Sequence, residues 1–118
     1  MPVRSDALET LAEEIGADQV AEMLELFFNE SDRRVAMFAG YVASGEIDRS
    51  KLHVEAHSMK GGAATLGFAT VAEEARAIEL EAQTIAADAL GSGVARLAAA
   101  VDEIRQRHSR SPAFAAGA

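Results

Sequence analysis

The chain has 118 residues, with 19 acidic against 11 basic side chains, a formal net charge of −8 and no cysteine. This balance argues against a nucleic-acid binder, which displays a basic face, and against adsorption to an anionic membrane. It also excludes disulfides and thiolate metal sites.

The length suits one domain that can bury a core without covalent staples. Proline occurs only at Pro2 and Pro112 and alanine is abundant, which favours helix. The first residues show no basic region followed by an apolar run, and no apolar segment approaches the ~20 residues needed to cross a bilayer. A soluble, cytoplasmic protein is expected.

Apolar residues recur at helical spacing almost throughout. Leu8, Leu11, Ala12 and Ile15 form a first short stripe, with Asp6 and Glu9 at capping-box spacing before it and Gly16 to end it. A second stripe (Val20, Leu24, Phe27, Phe28, Val35, Phe38, Tyr41 and Val42) predicts a long helix from about residue 18 to 43, closed by Gly45. A third helix starts near Asp48, carries Leu52, Ala56, Met59, Ala63 and Leu66 on one face, and ends at Gly67. Thr70 and Glu73 then read as a capping box for a fourth helix with the stripe Val71, Ala75, Ile78, Ala82 and Ile85. Gly91-Ser92-Gly93 reads as a turn before a fifth stripe of Val94, Leu97, Val101 and Ile104. From Ser109 onward the periodicity stops.

No strand-like alternation competes with this pattern. The expected fold is all-α: an up-down-up-down four-helix bundle with a short additional N-terminal helix. It forms one domain over residues 1–108, with a flexible C-terminal tail at 109–118.

Chemistry concentrates in Ala56-His57-Ser58-Met59-Lys60-Gly61-Gly62. With the core stripe of the third helix at zero and 100° per residue, His57 falls near about 140°, His53 near about 100°, Lys60 near about 80°, Ala64 near about 120° and Gly61 near about 180°. His57 should therefore point out of the bundle, beside one cation and several very small side chains. Two adjacent glycines inside a helix cost roughly 1 kcal/mol each relative to alanine, a cost that makes sense where something bulky must approach. An exposed neutral imidazole is a competent nucleophile near pH 7. Phosphoryl transfer suits these neighbours. Lys60, one turn on, offers a point charge to phosphoryl oxygens, and Gly61 and Ala64 leave the in-line path open.

The run Ala56-His57-Ser58-Met59-Lys60-Gly61 to Gly67, followed by Ile78-Glu79, resembles the histidine-containing phosphotransfer (HPt) domain family. The resemblance spans roughly residues 18 to 106. It implies a helical bundle that relays phosphoryl groups between histidine kinases and aspartate-bearing receiver domains. By this resemblance His57 corresponds to the phospho-acceptor through Nε2, Lys60 to the phosphate-facing lysine and Gly61 to the small residue that admits the partner. Glu79 falls where the family has a group that hydrogen-bonds the imidazole. His53, Gly62 and Ala64 join Gly61 in the expected partner-facing surface. Met59 stands where the family usually has leucine, a nearly volume-conserving exchange.

The implied partners are receiver domains of response regulators and hybrid histidine kinases, docking over the face of the second and third helices that displays His57. A monomer suffices. No cofactor of its own is expected, since any Mg²⁺ would be held by the receiver, and the sequence has no P-loop or kinase glycine-rich loop. Two rivals are a metal site on His53 and His57, which lack a third and fourth ligand, and a non-phosphorylated helical adaptor for receiver or kinase domains. Arg33, Arg34 and His108 read as solvated.

Overall fold

The computed structural model describes the backbone of residues 3–109 and the side chains of 7–108. The described residues form five helices: α1 (Val3–Ile15), α2 (Ala17–Ser44), α3 (Arg49–Thr65), α4 (Ala69–Glu81) and α5 (Ala87–Ser109). The expected tail lies, from residue 110 on, outside the described residues. Among the described residues no helix is long and apolar enough to cross a membrane.

Cross-helix contacts fix the directions. Phe27 lies near Gly62 and Arg34 bonds Glu55, so α2 and α3 are antiparallel. Arg49 reaches Ala82 while His57 reaches Glu79, which makes α3 and α4 antiparallel. Glu74 with Arg96, and Ile78 near Gly93, give the same relation for α4 and α5. Asp32 with Arg105, and Val42 near Gly91, close the ring between α5 and α2. Helix α1 packs on α2 through Leu8, Leu11 and Ala12. The stripes meet in one core, in which Phe38, Leu52, Met59, Leu90 and Leu97 are fully buried.

Local chemistry sets the junctions that position the site. Gly45 takes the left-handed conformation, φ 73°, and its N–H bonds the Tyr41 carbonyl to stop α2. Asp48 caps α3 by accepting from the Lys51 N–H at 3.1 Å. At the other end Phe68 N–H bonds the Ala63 carbonyl (2.8 Å) and Gly67 N–H the Ala64 carbonyl (3.1 Å), a Schellman arrangement with Gly67 at φ 78°. Phe68 is buried against this turn. The chain thus reverses within Leu66–Phe68 and lays α4 back along α3.

Three expected boundaries change. Gly91-Ser92-Gly93 is not a turn but lies inside α5, which begins at Ala87. A Cβ on Gly91 would stand 3.3 Å from Val42 Cγ1, tighter than ordinary packing, so Gly91 allows α5 to approach α2; one on Gly93 would meet Ile78 Cγ1 at 3.5 Å, an ordinary contact. The actual reversal, Ala82 to Ala86, contains no glycine or proline to announce it. Thr70 and Glu73 do not cap α4. The helix begins two residues earlier, at Ala69, with Phe68 at the cap position and no side-chain cap bond, because the Schellman turn supplies the reversal. Asp6 likewise lies inside α1, which starts at Val3.

The two packing glycines make opposite predictions. Gly93→Ala should stabilise the fold by up to about 1 kcal/mol through helix propensity, its methyl meeting Ile78 at ordinary contact distance. Gly91→Leu should destabilise it by about 1–3 kcal/mol by overpacking against Val42. Urea unfolding checks both; a Gly91→Leu variant as stable as wild type contradicts the close-approach explanation.

Candidate functional site

The α3 core stripe leaves the α4-facing edge of that helix to His53, His57 and Lys60. On α4, Ile78 is buried, and the next residue turns about 100° around the axis. That rotation brings Glu79 to the boundary between core and surface, opposite His57.

Glu79 joins two partners there. Its Oε2 lies 2.7 Å from His57 Nδ1, and its Oε1 lies 2.8 Å from Lys60 Nζ. The exposures differ in a useful way: the His57 side chain is 64% exposed, Lys60 31% and Glu79 only 11%. An ionised carboxylate only accepts, so the Nδ1 of His57 is the protonated nitrogen, and in the neutral ring the lone pair is left on Nε2. Oε1 is shielded from solvent and makes no directed hydrogen bond, so the nearby ammonium is what neutralises it. Lys60 first, and His57 second, hold the Glu79 carboxyl below the usual carboxylate range against the opposing effect of desolvation.

The other expected residues fall around this group. Gly61 and Ala64 are exposed, and a Cβ on Gly61 would meet nothing within 4 Å. Gly62 turns toward α2, where its Cβ would stand 3.9 Å from Phe27 Cδ1. His53 is exposed, with Nδ1 3.3 Å from the Glu79 carbonyl oxygen. Among the described residues no group of three or more His, Asp or Glu side chains is placed to hold a metal ion.

His57 lies on the α4 side of α3, which revises the expectation that the α2–α3 face displays it. The α2 side carries a different feature. Glu55 Oε1 accepts from Arg34 Nε at 2.8 Å and from Arg33 Nη2 at 3.0 Å, while Arg33 also bonds Glu30. Arg34 depresses the Glu55 carboxyl most strongly, with Arg33 adding to it. Arg34, its side chain only 16% exposed, is therefore a brace between α2 and α3 rather than a solvated charge, while Arg33, 47% exposed, remains solvated and adds to the brace from its rim. The sequence signal was available in part, since Glu55 falls beside the core stripe; its partners on α2 were not. His108 also has a specific neighbour, its ring centroid 5.5 Å from that of Phe68. Next to the brace, Met23, Leu26, Phe27, Met59, Gly62 and Leu66 line an open apolar groove of about 250 Å³.

An antiparallel helical bundle that exposes one carboxylate-braced imidazole defines the class. The family model described as Hpt domain matches residues 22–107, most of the chain. The chain therefore belongs to the Hpt domain family. No curated protein and no solved structure gives a significant match. Membership assigns a histidine phosphotransfer role in two-component signalling, and Hpt domains are phosphocarriers rather than kinases.

The depressed Glu79 value has a definite sign. Its interactions stabilise the fold fully above the unfolded carboxylate midpoint, about 4.3, and are lost as pH falls through the lower folded midpoint. A carboxyl ¹³C NMR titration should place wild-type Glu79 below the ordinary value. Lys60→Met should move it upward, since Lys60 is the larger cause. A wild-type midpoint at or above the ordinary value contradicts the pairing.

Proposed function

We propose that this chain is a phosphorelay carrier that accepts a phosphoryl group on His57 Nε2 and passes it to or from an aspartate of a receiver domain. One observation carries the reading: an exposed imidazole has its Nδ1 engaged by a largely buried carboxylate, which is itself paired with a lysine on the helix that carries the imidazole.

The chemistry follows from that arrangement. The donor is the acyl phosphate of a receiver aspartate. The His57 Nε2 lone pair attacks phosphorus in line, the N–P bond forms, and the P–O bond breaks with its electron pair leaving on the aspartate carboxylate. The ring, now bearing Nδ1–H and a phosphorylated Nε2, becomes cationic, and Glu79 stabilises that charge through the bond it already makes. Lys60 lies one helical turn from His57, where its ammonium can turn to the incoming phosphoryl oxygens. The product is a phosphoramidate, reactive enough for the reverse attack by a second aspartate.

Receiver domains of response regulators and hybrid histidine kinases are the proposed partners. Open space outside Gly61 keeps the approach to Nε2 unobstructed. Val54 and Leu80, 58% and 66% exposed, give α3 and α4 exposed apolar contact area. The α2–α3 groove extends that surface across α3.

Two substitutions test the proposal by intact-mass spectrometry after incubation with phosphorylated receiver domains. His57→Gln should abolish the acid-labile phosphoryl adduct while leaving helicity unchanged; a variant that still accepts at the wild-type rate removes His57 from its assigned role. Gly61→Gln should slow acceptance while preserving or raising stability, by roughly 0.5–1 kcal/mol from helix propensity. Unaltered transfer in that variant overturns the steric role of the glycine.

A further inference from the structure

The α3 edge that carries His57 is a row of donors. Arg49, His53, His57 and Lys60 follow one another at spacings of four, four and three residues, so they share one side of the helix. All four engage the C-terminal end of α4 or the turn behind it. Arg49 Nη1 donates to the carbonyls of Ala82 and Ile85, each at 3.0 Å. His53 Nδ1 stands 3.3 Å from the Glu79 carbonyl, while His57 and Lys60 take the carboxylate of the same residue.

The last carbonyls of a helix have no partner one turn ahead. Helix α4 closes at Glu81, so the Glu79 carbonyl is one of these, and from the backbone it receives a contact of 3.4 Å from Ala82 N–H. His53 supplies a further donor. A carbonyl only accepts, so His53 too carries its proton on Nδ1.

We infer that His53 is a positioning residue for His57, acting through Glu79. It holds the Glu79 backbone so that the carboxylate stands where Oε2 meets His57 Nδ1. Glu79 is then fixed at both ends, its main chain by His53 and its side chain by His57 and Lys60. Without His53 the last turn of a 13-residue helix is tied to α3 by fewer bonds. The carboxylate then shifts, the Nδ1–H bond weakens, and a larger share of neutral His57 moves its proton to Nε2, where it blocks the attack. This deepens the phosphotransfer reading, and its kinetic test rests on that reading; its spectroscopic test does not.

The experiment compares wild type, His53→Ala and His53→Asn, whose amide nitrogen stands near the position of Nδ1. One readout is the His57 tautomer ratio from ring ¹⁵N NMR of the full chain without donor. The other is the initial rate of phosphoryl acceptance from a phosphorylated receiver domain, with far-UV circular dichroism to establish that each variant is folded. Alanine should raise the Nε2–H fraction and slow acceptance roughly three- to tenfold, the scale expected for a small misplacement of a reacting group. Asparagine should restore both. An alanine variant with the wild-type tautomer ratio overturns the inference, as does asparagine no better than alanine. If wild type itself accepts no phosphoryl group, the transfer reading fails, and the tautomer ratio alone decides the role of His53.

Discussion

The functional geometry depends on one carboxylate held between two donors. Glu79 uses Oε2 for the His57 ring and Oε1 for the Lys60 ammonium, and it does so from a position largely withdrawn from water. Burial alone would favour its neutral form, and a neutral carboxyl would no longer oblige His57 to keep its proton on Nδ1. The lysine reverses that tendency. Lys60 thus acts on the imidazole before any phosphate is present, by keeping the carboxylate ionised. In the proposed transfer the same ammonium would answer the charge of the incoming phosphoryl group, and the ring made cationic by that step would strengthen its bond to Glu79.

The fold makes this triad possible by joining α3 to α4 through a very short reversal. The Schellman turn at Leu66–Phe68 sets the two helices antiparallel, and the core stripes of Leu52, Ala56, Met59, Val71, Ala75 and Ile78 fix their rotation. His57 and Glu79 then sit on adjoining edges about 15 Å from the turn, at 1.5 Å per residue. The opposite edge of α3 is braced differently, by Glu55 against Arg34 and Arg33 of α2. One helix therefore carries the His57–Glu79–Lys60 group on its edge toward α4 and an ion-pair brace on its edge toward α2. Its outer surface between them is kept low by Gly61 and Ala64, and its approach is open.

Much of this was legible in the sequence because it follows from period and rotation. The α3 stripe predicted both the buried residues and an outward His57, and the family resemblance placed Glu79 beside the imidazole. What stayed hidden depends on distance between helices. Gly91 and Gly93 look like turn residues until Val42 and Ile78 are seen beside them. The true α4–α5 reversal is built from Ala82, Gln83, Thr84, Ile85 and Ala86, whose types signal nothing, and Arg49 binds two carbonyls at that reversal from another helix. The Glu55 brace and the bond from His53 to a main-chain carbonyl are equally silent, since a backbone acceptor has no residue type to read.

The central claim is that Glu79 occupies Nδ1 of His57 and so directs the chemistry to Nε2. Its most direct test is ring ¹⁵N and ³¹P NMR of the phosphorylated full chain. The account predicts a single phosphohistidine at His57 with the N–P bond at Nε2 and a proton retained on Nδ1. A phosphoryl group bonded to Nδ1, or located on any other residue, would contradict it.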